Sequence, residues 1–284
     1  MLLNVERVQK SIARLRKFLK KQPRNPSPET IHDVRTSTRR LESSLETLEI
    51  GKHKLKKRLQ QNLSVLRKRL GKVRDMDVLT ARVLSITSKT PEPECLVQLL
   101  EYLGAKRSKY ASKLHKVAKH YGPQLRDDLA TIAENVTDAA TPSGQNGEPA
   151  VEFDAQGAVS LEKLLSELDR PARLNRRTLH PYRLKVKELR YVLQLSEDRG
   201  SQEFAKKLGE AKDAIGEWHD WEELLEAAKK VVNGRPHSKL WRQLRRITDE
   251  QFNKALAITQ RMRTAYRSAK RRQLLAGRCF NQAE

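Results

Sequence analysis

The chain has 284 residues, a length that suits one large domain or two smaller ones. Its 58 Lys and Arg residues exceed its 35 Asp and Glu residues and leave a formal net charge of +23, which predicts a polyanionic partner. A hydrophobic content of 37% excludes a wholly disordered chain. Because no apolar run is long enough for a membrane span and charges follow soon after Met1, we expect a cytoplasmic protein without membrane contact.

Helical periodicity dominates the sequence between short clusters of Pro, Gly, Asn and Ser. Apolar residues recur on one helix face at 5–19 and again at 240–262. Alternating strand patterns are missing, aromatic residues make up only 5%, and strong helix formers are abundant. We therefore predict an all-α fold, in which Ser27 and Pro28 begin one helix as N-cap and first residue.

Two segments of the first half have similar counterparts in the second half. Residues 31–48 match 179–196 at an offset of 148, and LGKVRD at 70–75 matches IGEWHD at 215–220 at an offset of 145. These matches predict two helical bundles of about four long helices each, related by an internal pseudo-twofold duplication. The predicted limits are 1–136 for the first bundle, 137–157 for a polar linker, and 158–284 for the second bundle.

The first matched segment places basic side chains on one helix face. His32, Arg35 and Arg39 share a sector opposite the leucines of the same segment, and the second segment repeats this pattern. Arg35 and Arg39 are like charges at i,i+4, an arrangement that is unfavourable unless an anion compensates it. Glu42 follows on the same helix, and a salt-bridged surface in which it neutralises Arg39 remains the alternative.

Three further basic clusters accompany this face. One is a stripe along the N-terminal helix that includes Arg14, another surrounds Lys56, and a third includes Arg74. Each cluster alone could serve solubility only. Their number and their agreement with the repeat favour a shared basic groove.

At these segments the chain resembles the conserved histidine α-helical domain, or CHAD, family. The family motif HxxRxxxRRLR matches at 32–41 except for its last arginine, and HxxRxxxKxLRY matches at 180–191. The resemblance implies two four-helix bundles whose basic residues line a central surface that binds inorganic polyphosphate. Three residues depart from the family pattern, namely Glu42, Pro181 and His219. We expect Pro181 to lie in the first turn of its helix, where it removes no helical hydrogen bond.

We predict from these observations that the protein binds inorganic polyphosphate without catalysis, cofactor or metal, and associates with polyphosphate-containing granules. With about eight phosphates contacted, log K should fall against log salt with a slope of roughly −6. Mild acid should tighten binding if His32 and His180 gain charge, although a structural role for each histidine stays open. The predicted polyphosphate-binding residues are His32, Arg35, Arg39, Arg40, His180, Arg183, Lys187, Arg190, Arg14, Lys56 and Arg74.

Two other functions compete with polyphosphate binding. The basic composition also suits an RNA-binding or DNA-binding helical protein, but no helix-turn-helix, RNP or zinc motif is found, and Trp218, Trp221 and Trp241 sit in apolar helical registers. The His32-Asp33 pair resembles one half of a phosphohydrolase metal site, which would need several more His and Asp ligands. We therefore expect nucleic-acid contacts to be weak and non-specific.

Overall fold

The computed structural model describes residues 5–47, 53–87, 92–138, 164–193, 199–231 and 238–280. Within these residues the regular secondary structure is helical and contains no strand, which confirms the all-α prediction. A helical turn at 164–167 accompanies the long helices. These are α1 (Val5–Lys21), α2 (Pro28–Thr47), α3 (His53–Leu84), α4 (Pro93–Asp138), α5 (Arg176–Leu193), α6 (Arg199–Val231) and α7 (Lys239–Phe280).

The helices that carry the two basic segments begin at side-chain caps. Thr30 N–H donates to Ser27 Oγ at 3.2 Å, so Ser27 is the N-cap of α2 as predicted. Asn175 has the same place before α5, where its Oδ1 accepts from the backbone N–H of Arg177 at 2.9 Å and of Thr178 at 3.1 Å. Each cap satisfies amide groups that have no partner within the helix.

The position of Pro181 differs from the expectation. Because α5 begins at Arg176, Pro181 is its sixth residue and lies in the second turn. There it has no N–H to donate to the carbonyl of Arg177, four residues earlier, so the helix loses one internal hydrogen bond. The exposed side of the helix accommodates this loss, since Pro181 faces solvent.

The chain divides into two compact units. Unit 1 comprises Met1–Lys89 and Pro93–Pro149, and unit 2 comprises Thr90–Glu92 and Ala150–Glu284. Of the predicted linker at 137–157, residues 137 and 138 belong to α4 and the remainder lies outside the described residues. The predicted domain limits and the internal duplication stay predictions.

Each unit has a separate apolar core. In unit 1, α1, α2, α3 and α4 pack together around fully buried leucines such as Leu15, Leu66 and Leu70. In unit 2, α6 packs against both α5 and α7, with Trp218 and Tyr182 as the largest fully buried side chains among the described residues. Burial of these aliphatic and aromatic groups is the main favourable contribution to folding. Among the helices described, none is long and apolar enough to cross a bilayer.

A buried ion pair holds the loop before α2 in place. Arg107 of α4 donates from Nε to Asp77 Oδ1 of α3 at 2.6 Å, and Asp77 is almost completely buried. The remaining nitrogens of the same guanidinium donate to Asn25 Oδ1 at 2.5 Å and to the Pro26 carbonyl at 2.6 Å. Arg107 therefore connects α3, α4 and the segment from which α2 begins.

Candidate anion-binding site

The guanidinium of Arg35 lies against the backbone of α3. Its Nη1 donates to the carbonyl oxygen of Arg67 at 3.2 Å. A Cβ atom placed on Gly71, one turn further along α3, would stand 2.9 Å from the same nitrogen, which is closer than a carbon atom can approach without displacing it. The absence of a side chain at Gly71 thus leaves the space that the guanidinium occupies.

Cationic side chains surround Asp75, which is one turn beyond Gly71. The pKa of Asp75 is raised above its ordinary value, because the effect of burial exceeds the opposing effects of four basic groups. These groups are Arg35, Lys72, Arg39 and Arg74. Burial and the neighbouring Arg39 lower the pKa of Arg35. Four basic groups therefore act on one half-buried carboxylate, and this part of unit 1 has a local excess of positive charge.

Glu42 does not neutralise Arg39 in the way that the sequence suggested. Its Oε2 lies 2.7 Å from Nε of Arg67 on α3, and both side chains are mostly buried. Arg39 and Arg40, by contrast, are exposed on α2. The carboxylate at the position where the family motif has an arginine therefore compensates a charge on the next helix.

Unit 2 contains an arginine in the same kind of contact. Arg183 of α5 donates from Nε to the carbonyl oxygen of Lys212 on α6 at 3.1 Å. A Cβ atom on Gly216, one turn further along, would stand 2.7 Å from Nη2 of Arg183. In both units the accepting carbonyl is thus four residues before the glycine that the guanidinium covers.

Two histidines stack beside Arg183. The ring centroids of His180 and His219 are 3.9 Å apart, with 36° between their planes. Nδ1 of each ring is buried and makes no hydrogen bond within the described residues. Burial and Arg183 lower the pKa of His180, and burial, His180 and Arg183 lower that of His219 to about 4. Both rings are therefore neutral at pH 7.

The residues described above lie within the part of the chain that matches a known family. The CHAD domain model matches residues 6–229. The chain belongs to the CHAD family. Its fold is similar to that of PptA from Streptomyces chartreusis, with a TM-score of 0.50, 17% sequence identity, and coverage of 94% of this chain and 96% of that chain. No curated protein matches the sequence. The CHAD family is linked to polyphosphate binding.

The structure brings some of the predicted CHAD site residues together. Arg35, Arg39 and Arg74 act on one carboxylate in unit 1, and His180 lies beside Arg183 in unit 2. His32 is exposed near the start of α2, Lys187 is half-buried on α5, and Arg190 of α5 lies over a second glycine of α6.

Arg14 and Lys56 lie apart from these groups along their helices. Arg14 is exposed on α1 and is not among the basic groups that act on Asp75. Lys56 is half-buried on α3 and precedes Arg74 by 18 residues. That separation is about 27 Å along a straight helix, so only an extended ligand could contact both.

Three groups of this candidate site were not identified from the sequence as site residues. They are Asp75 and two of the three covered glycines, Gly71 and Gly216. The matched segments LGKVRD and IGEWHD have a glycine and an aspartate at the same positions. This repetition was the sequence feature that could have pointed to them. Among the described residues, no group of three or more His, Cys, Asp or Glu side chains could hold a metal ion.

Acid should destabilise unit 2 through His219. The ring has a pKa of about 4 in the folded protein against an ordinary 6.5, so the unfolded chain takes up the proton first. The contribution of the neutral His219 ring to the unfolding free energy is thus complete above about pH 6.5. It falls as the pH approaches 4, by roughly 2 kcal/mol once solvent screening of this partly exposed ring is allowed for. We expect His219→Gln to lose correspondingly less stability between pH 7 and pH 4.5 in urea unfolding.

The same expectation can be checked directly at the ring. A proton NMR titration of the folded protein should give His219 a midpoint near 4. Its charged and titratable neighbours are His180, Arg183, Glu222 and Glu223, with the two carboxylates 4.0 and 3.6 Å from the ring nitrogens. A midpoint near 6.5 would contradict the burial argument.

Proposed function

We propose that this CHAD protein binds inorganic polyphosphate, without catalysis, through the basic faces of α2 and α3 in unit 1 and of α5 and α6 in unit 2. The observation that carries the proposal is the placement of Arg35 and Arg183. Each guanidinium is held against a helix backbone, and Arg35 also lies beside further arginines. Membership of a family linked to polyphosphate binding supports the same ligand.

The chemistry of the placed arginines suits phosphate. A guanidinium has five N–H donors in a planar fork, and Arg35 and Arg183 each use one of them on a helix carbonyl. The others are available to non-bridging phosphate oxygens, to which arginine can donate two parallel hydrogen bonds. Because half-burial weakens solvation of these charges, an incoming anion compensates them more effectively than at a fully exposed site.

Nucleic acid is the competing polyanion, and the aromatic side chains argue against it. Single-stranded RNA and DNA are held by bases that stack on accessible aromatic rings. Trp218 and Trp221 are buried in unit 2, and half-buried Trp241 has the guanidinium of Arg245 over its ring, 5.3 Å from the centroid. These tryptophans offer no stacking platform, whereas a phosphate chain needs none.

A competition titration tests the proposal. Calorimetry or filter binding with polyphosphates of graded length should give saturable binding that weakens with salt at a slope of roughly −6 in log K against log salt. At equal phosphate concentration, long-chain polyphosphate should displace the labelled ligand better than tRNA does. Stronger displacement by tRNA would overturn the proposal in favour of nucleic-acid binding.

The absence of catalysis needs its own assay. Incubation of the protein with polyphosphate and either Mg²⁺ or Mn²⁺ should release no orthophosphate above the protein-free background. Release that disappears in His32→Ala would contradict the non-catalytic part of the proposal and favour a phosphohydrolase.

A further inference from the structure

Three arginines of the basic faces lie over glycines of the next helix. Besides Arg35 over Gly71 and Arg183 over Gly216, Nε of Arg190 would stand 3.3 Å from a Cβ atom on Gly209. This Nε is buried and has no hydrogen-bond partner within the part of the chain that the structure describes.

The two pairs of unit 2 have the same spacing on both helices. Arg183 and Arg190 are seven residues apart on α5, as are Gly209 and Gly216 on α6. Seven residues are close to two helical turns, so both arginines leave the same face of α5 and both glycines lie on the same face of α6, about 10 Å apart along the axis. The two guanidiniums therefore follow one another along the interface between α5 and α6.

A glycine in the middle of a helix needs a reason, because it is less favourable there than alanine. All three glycines are within long helices, at positions where the backbone is helical and alanine would suit it equally well. What a methyl group would meet at each position is a guanidinium, the mobile end of a long side chain. An added methyl group should thus move the arginine and leave the helix intact.

We propose that Gly71, Gly209 and Gly216 are positioning residues of the polyphosphate-binding faces. Each leaves a space on the surface of its helix in which a phosphate-binding guanidinium is held. This role rests on the proposed function, and it adds residues that contact no phosphate themselves. Unit 2 has two such spaces, whereas unit 1 has Gly71 and, at the position matched to Arg190, Glu42 in place of an arginine.

The distances predict a rank order for alanine substitutions. At Gly216 three guanidinium atoms of Arg183 lie within 3.2 Å of the added carbon, the closest at 2.7 Å. At Gly71 one nitrogen lies at 2.9 Å, and at Gly209 the nearest atom lies at 3.3 Å. We expect Gly216→Ala to weaken polyphosphate binding about tenfold, Gly71→Ala less, and Gly209→Ala least.

Gly104→Ala is the matched control. Gly104 lies inside α4 of unit 1, and an added Cβ atom there would meet nothing within 4 Å. This variant should raise the melting temperature slightly and leave the polyphosphate affinity unchanged. Gly216→Ala should keep or raise the melting temperature as well, so its loss of affinity would not follow from unfolding.

A double-mutant cycle with Arg183→Ala decides between positioning and a purely structural role. If Gly216 acts through the guanidinium, Gly216→Ala should have no effect on affinity once Arg183 is alanine. A further loss of affinity in the double variant, or wild-type affinity in Gly216→Ala alone, would overturn the inference while leaving the proposed function intact. Failure of the wild-type protein to bind polyphosphate would instead overturn the proposed function and this role together.

Discussion

The variant Arg35→Ala/Arg183→Ala should bind polyphosphate about 100-fold more weakly than the wild-type protein. Each substitution removes one guanidinium and the charge-assisted hydrogen bonds that it donates to phosphate, and two losses of about 1.5 kcal/mol give a change of this size. The salt dependence should become shallower at the same time, by about 1.4 in the slope of log K against log salt. Titration by calorimetry at several salt concentrations measures both quantities.

A charge-matched variant separates the position of these arginines from the loss of net charge. Arg199→Ala/Arg246→Ala also removes two positive charges, but both side chains are strongly exposed and each lies near a glutamate at i,i+4, at 3.4 and 3.9 Å. It should retain affinity within about threefold of wild type. Equal losses in the two variants would mean that affinity follows overall charge, and that the basic faces of α2 in unit 1 and α5 in unit 2 have no special role.

The largest expected loss of stability comes from Arg107→Met. The substitution leaves the carboxylate of Asp77 buried without its cation and releases the two contacts that hold Asn25 and Pro26. Breaking a buried ion pair on one side typically costs about 3 to 5 kcal/mol, and we expect about 3 kcal/mol in the unfolding free energy of unit 1. Urea unfolding followed by circular dichroism measures the change.

A second substitution tests whether the unpaired carboxylate causes this loss. In Arg107→Met/Asp77→Leu both charges are replaced by apolar groups of comparable size, so most of the stability should return. If the single variant loses less than about 1 kcal/mol, the Arg107–Asp77 pair does not stabilise the fold in the way that its burial indicates.

The sequence predicted the helices and the basic faces because both depend on local pattern. The cap at Ser27 and the sector of His32, Arg35 and Arg39 follow from residue type and helical spacing alone. The position of the Arg35 guanidinium depends on which helix packs beside α2. Helical periodicity contains no information about that neighbouring helix. The glycine at 71 was visible as part of a repeated segment, but its role required the position of a side chain 36 residues earlier.

One alternative and one expectation failed for the same physical reason. The alternative paired Glu42 with Arg39 because both lie on α2, whereas Glu42 pairs with Arg67, which α3 brings to 2.7 Å. Pro181 was expected in a first turn, but the start of α5 follows from the cap at Asn175, six residues before the proline. In each case the structure depends on a contact that helical spacing does not describe. Short-range spacing does not show which of several possible partners a side chain will contact.

The matched position that holds Arg74 in unit 1 holds His219 in unit 2. A guanidinium stays protonated near neutral pH. The imidazole of His219 is uncharged there, because burial, His180 and Arg183 lower its pKa to about 4. At this position α3 carries a guanidinium, whereas α6 carries an imidazole that becomes positively charged only in strong acid. The positive charge at matched positions of the two units therefore depends differently on pH.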